Sequence, residues 1–190
     1  MAKKRKIDFV LNEQDDKRLV FRFYPRQSNC HGFGNEPPKS WKEVYKVYYA
    51  YSILKQYKRN DNDNWADTDI VFECECDECS IVDEIAYICQ ELAKGNVSKT
   101  VTRFNESVEL EYLDREIYPM GMGVGWTIHK FDNHKNNKEF GIPFQVYYQF
   151  TLYNWNDVGF RFVIKEEQIE QFGKYLESCC EYMLAHGEPI

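Results

Sequence analysis

The tripeptide Val47-Tyr48-Tyr49 returns as Val146-Tyr147-Tyr148, and each copy stands in an aromatic, β-branched run that later gives way to apolar residues at helical spacing. That change of hydrophobic period, made twice in one chain, limits the folds open to it. In the first half, Leu19, Phe21 and Phe23 alternate with Val20, Arg22 and Tyr24 as a strand over 17–24 that stops at Pro25. Gly, Pro, Asn and Ser then concentrate over 25–40, which reads as a long loop. Strands are expected over 44–54 and 70–76, paired as a hairpin across the polar segment 58–69. From Ser80 onward Ile81, Ile85, Ile88, Cys89 and Leu92 share a helical face, with Asp77 or Ser80 as the cap and Gly95-Asn96 as the stop.

The second half retraces this order. A strand over 107–117 reaches Tyr118-Pro119 and a Gly-rich stretch, much as Tyr24-Pro25 leads to His31–Gly34. Strands at Val146 and over 159–164 flank a short Asn156-Asp157 turn, and Ile169, Phe172, Leu176, Cys180 and Met183 mark a terminal helix that Gly187 ends. The predicted class is α+β: mostly antiparallel sheet or sheets with two covering helices in one domain over 1–190. The echo implies a pseudo-twofold duplication of a strand, Gly loop, β-hairpin, helix unit, with repeats over 7–96 and 101–190.

Aromatic residues at 16% of the chain, 14 Tyr and 13 Phe among them, are too many for a disordered segment. No run approaches the ~18 apolar residues of a membrane span, and the cations Lys3, Lys4, Arg5 and Lys6 precede no apolar signal region. The seven cysteines, an odd number without an export signal, read as reduced thiols. The expected setting is the cytoplasm of a bacterial cell or a phage-infected host, with no membrane partner.

The net charge is −7, and setting aside the cations at 3–6 leaves 20 basic against 31 acidic residues. Direct nucleic-acid binding is therefore not expected, because such affinity comes from Lys and Arg displacing counterions from phosphates. A basic protein partner is the better electrostatic match.

Motifs that would carry chemistry are incomplete. Cys74, Cys76 and Cys79 in FECECDEC could contribute thiolates to a zinc site with Cys30 or His31, but the second knuckle of a structural site is missing. Adjacent Cys179 and Cys180 do not supply it, since helical neighbours are not expected to turn inward together. Core filling is the simpler reading of Cys74 and Cys76, which share a strand face with Phe72. The Asp61, Asp63, Asp67, Asp69 series lacks the Gly and Glu of a calcium loop, having Ala66 and Phe72 there. Gly121, Gly123 and Gly125 lack the Lys-Ser/Thr ending of a phosphate loop. No cofactor is expected.

Two functional readings follow. The first is a non-catalytic acidic binding or inhibitor protein that docks on a basic protein such as a nuclease, as immunity and anti-defence proteins do. Its anchors would be Phe33, Trp65, Trp126 and Trp155, with Asp61, Asp63, Asp67 and Asp157 supplying attraction. The second is a small enzyme with a site in the cleft between the repeats, near Cys30, His31 and the Gly121–Gly125 loop.

Overall fold

Alternating large residues make the strands, and the spacing of the branched apolar residues makes the helices. The computed structural model describes residues 7–26, 48–60, 62–117, 125–132, 145–153 and 159–186. Ten strands and two helices occur among them. In chain order these begin with β1 (Ile7–Gln14), β2 (Lys17–Arg26), β3 (Tyr48–Tyr57), β4 (Ala66–Glu78) and α1 (Cys79–Ala93). The hairpin β5 (Ser98–Arg103) and β6 (Glu106–Glu111) follows, then β7 (Glu116–Ile117), β8 (Gly125–Asp132), β9 (Val146–Tyr153), β10 (Gly159–Lys165) and α2 (Glu166–His186). All three sheets are antiparallel, ordered β1-β2-β3-β4, β10-β9-β8-β7 and β5-β6. The fold is α+β. Neither helix is long and apolar enough, among the described residues, to cross a membrane.

The chain divides into two compact units, residues 1–84 with 175–190, and residues 85–174. Their bounds do not coincide with the stretches 7–96 and 101–190, because each helix is shared between units. In the first unit, Phe21 stacks on Tyr51 at 5.2 Å between ring centroids, and Tyr51 lies 6.3 Å from Phe72. Tyr175 from α2 meets Phe9 at 5.5 Å and Phe21 edge-on at 6.2 Å, and its hydroxyl donates to the Phe21 carbonyl at 3.3 Å. In the second unit, Phe150 stacks on Phe162 at 5.1 Å and Phe172 of α2 meets both edge-on. Burying each such ring contributes about 1.5–3 kcal/mol before the entropy of ordering it is charged against the gain.

Within the second unit the helices touch closely. A Cβ added at Gly173 would stand 2.8 Å from the Ala86 carbonyl oxygen and 2.9 Å from the Cys89 Cβ, so only glycine permits this approach. The end of α1 is closed by a Schellman arrangement: Gly95 takes φ +84°, its N–H donates to the Leu92 carbonyl and that of Asn96 to the Glu91 carbonyl. The Glu91 side chain binds Lys94 and Asn96, each at 2.7 Å.

Several local expectations need correction. β2 runs through Pro25 to Arg26, which lie opposite Tyr49 and Tyr48 of β3. The strand expected over 107–117 is two strands, β6 and β7, parted by a turn in which Asp114 has φ 56°. Ser80 lies inside the first turn of α1 and Asp77 within β4, and the side chains of both are outside the described set. Cys179 and Cys180 are both fully buried, because the apolar stripe of α2, with Ile169, Phe172 and Leu176, is wide enough to take neighbours 100° apart.

Candidate interaction surface

Register places charge inside the first sheet. Asp8, Arg22, Ser52 and Glu73 form one rung across β1 to β4, on the face opposite Phe21, Tyr51 and Phe72. Arg22 is 3% exposed and donates to Asp8 at 2.6 and 2.8 Å and to Asp67 at 2.6 and 2.9 Å. Gln56 donates to Asp67 at 2.7 Å and to Asp8 at 3.1 Å, while accepting from Arg18 at 2.6 Å. A bidentate guanidinium–carboxylate pair is the strongest ordinary ion-pair geometry, and here one guanidinium makes two. Beside this network a cavity of about 420 Å3 is bordered by Asn64, Trp65 and Ala66.

Trp65 belongs to the same cluster. Arg18 lies 4.4 Å and Lys58 5.1 Å from its ring centroid, so the indole already holds two cations. Half-buried in this way, it tucks back onto the sheet. Asp67 is likewise engaged by Arg22 and Gln56, whereas Asp63 is exposed and accepts from Asn60 at 3.3 Å.

Trp126 does not stand where an anchor must. It is fully buried in β8, edge-on to Phe150 at 6.3 Å, and a ring with no accessible area offers nothing to a partner. It shares the rung Ile117, Trp126, Leu152, Phe160, which places it on the face that Phe150 and Phe162 present to Phe172. Phe33, Trp155, Asp61, Asp157, Cys30, His31, Gly121 and Gly123 lie outside the described residues; Gly125 opens β8. The structure therefore brings Trp65 and Asp67 together and buries Trp126.

Cys74 is buried beside Tyr51, and the side chains of Cys76 and Cys79 are outside the described set. Among the described residues no three His, Cys, Asp or Glu side chains stand where they could share a metal ion. Cys74, Cys89, Cys179 and Cys180 are buried and form no disulfide. Burial pushes the Cys89 thiol upward, and burial together with Cys180 pushes that of Cys179 up to about 12. Neither is a thiolate at neutral pH.

Two surface features escaped the sequence reading. From Asn60 to Ala93 the chain carries eleven Asp and Glu and no Lys or Arg. Much of that segment is β4, the margin of its sheet, where Asp67, Asp69 and Glu73 are exposed and Ile70 is 60% exposed. A running sum of charge would have found it.

The second feature is the tip of the β5-β6 hairpin. Phe104 and Asn105 form its two-residue turn with φ 50° and 67°, both left-handed. A turn of this kind favours Asn-Gly, and a side chain such as Phe in that region costs about 1 kcal/mol. Phe104 is also 100% exposed. Without a Gly the turn gives no signal in sequence.

Comparison with known proteins returns no relative: no family model matches the chain, and no curated protein or solved structure matches it either.

Proposed function

We propose that this chain is a non-catalytic acidic binding protein that docks on the basic surface of a protein partner such as a nuclease, in the manner of immunity or anti-defence proteins. The acidic margin of β4 carries this reading. Among the described residues fifteen Asp and Glu are exposed against eight Lys and Arg, and the imbalance is concentrated where no cation interrupts the sequence. Carboxylates on an outer strand also keep other strands from pairing there, and three irregularities in the β3-β4 register serve the same end. A partner that approaches this margin meets side-chain charge first.

Titration calorimetry against purified cationic nucleases tests it. Affinity is expected to fall at least tenfold between about 50 mM and 300 mM salt, as the Debye length shortens. Binding that ignores salt, or an absence of binding across the set, contradicts the proposal.

A further inference from the structure

The β5-β6 hairpin has a composition that folding alone does not call for. Its register puts Ser98 opposite Glu111, Thr100 opposite Glu109 and Thr102 opposite Ser107 on one face, which therefore carries carboxylates and hydroxyls and no cation. Ser98 donates to Glu109, so part of this face is already ordered. Lys99 is turned to the other face, 5.2 Å over the ring of Tyr87. At the end stands Phe104, wholly in water and in a backbone conformation that Asn or Gly would adopt with less strain.

We infer that Phe104 is an anchor that enters an apolar pocket on a protein partner, and that the Glu109 and Glu111 face meets Lys or Arg at the rim of that pocket. The inference rests on the basic-partner reading above and adds to it the point of insertion. A rigid ring on a two-residue turn loses little entropy on binding, and it carries large apolar area into a site from which water is expelled. The carboxylates then act on the approach and the ring on the residence time.

The full chain is titrated against purified bacterial nucleases of pI above about 9, and the tightest pair is repeated with variants. Phe104→Asn is expected to weaken binding at least tenfold while leaving Tm unchanged or raising it, because Asn suits the turn. Phe104→Tyr retains binding, and the double variant Glu109→Gln/Glu111→Gln weakens it at low salt but not at high salt. Salt-dependent binding that Phe104→Asn leaves intact overturns the anchor and spares the basic-partner reading. No binding by the unaltered protein overturns both. Should Phe104→Asn instead convert a dimer of this chain to monomers in sedimentation, the ring's occupant is a second copy and the inference fails.

Discussion

The two four-stranded sheets share strand order and differ in what they hold behind their aromatic faces. Rung by rung, Phe9-Phe21-Ile53-Phe72 in one answers to Ile117-Trp126-Leu152-Phe160 in the other. On the opposite face, Asp8-Arg22-Ser52-Glu73 answers to Glu116-Thr127-Thr151-Arg161. Arg22 is buried as a cation between two carboxylates, whereas Thr127 at the matching place is 7% exposed and its hydroxyl has no hydrogen-bond partner among the described residues. The contrast recurs at the helices: burial, and then the nearby charge of Glu177, raise the Asp83 carboxyl in the first unit, while in the second Gly173 packs on the Ala86 carbonyl without any charge. One unit thus relies on charged groups that must be matched, the other on shape.

Loss of the guanidinium breaks this comparison most severely. Arg22→Met strands Asp8 and Asp67 together, and is expected to cost about 3 kcal/mol, at the low end for a broken buried pair since Asp67 is 34% exposed. Thr127→Val should change stability by less than about 1 kcal/mol, in the favourable direction, because it removes an unbonded hydroxyl. Urea unfolding of both variants measures the difference, and equal effects would mean that the two faces are energetically alike.

Next in size is Gly173→Ala. The added methyl group meets backbone, which cannot rotate away, so overpacking of about 2 kcal/mol outweighs the helix propensity gained. Thermal unfolding should show a lower Tm for this variant.

The smallest effect sharpens the comparison through pH. Since the native Asp83 carboxyl sits above its ordinary value of 3.8, the folded protein binds a proton there more readily than the unfolded chain. The resulting penalty is absent below that value and enters as pH rises through the raised one. Asp83→Asn should therefore be more stable than the parent at pH 7 and no different near pH 3, which unfolding curves at the two pH values would detect.

Where a pattern was carried by side-chain period it could be read from sequence. Ile85, Ile88, Cys89 and Leu92 are buried as their spacing requires, and Tyr48-Tyr49 and Tyr147-Tyr148 do lie in strands β3 and β9. β1 went unread although Ile7, Phe9 and Leu11 alternate, because a register shift between Val10 and Asn12 interrupts the pattern just before the Asp15-Asp16 turn. Of the proposed anchors, Trp126 misled because amphipathic rings serve cores and interfaces alike, and only pairing decides the face. Phe104 escaped for the opposite reason, since nothing local distinguishes a ring left in water from one covered by another strand. The Arg22 network was hidden because its members come from four strands, and register alone assembles them.

Asp8 belongs to one outer strand of its sheet and Asp67 to the other, yet both are held by the same guanidinium. A sheet ordinarily frays from each border separately, the middle strands surviving longest. With this brace, displacing the one guanidinium would remove a fastening from both borders at once, in addition to the ladders that hold each.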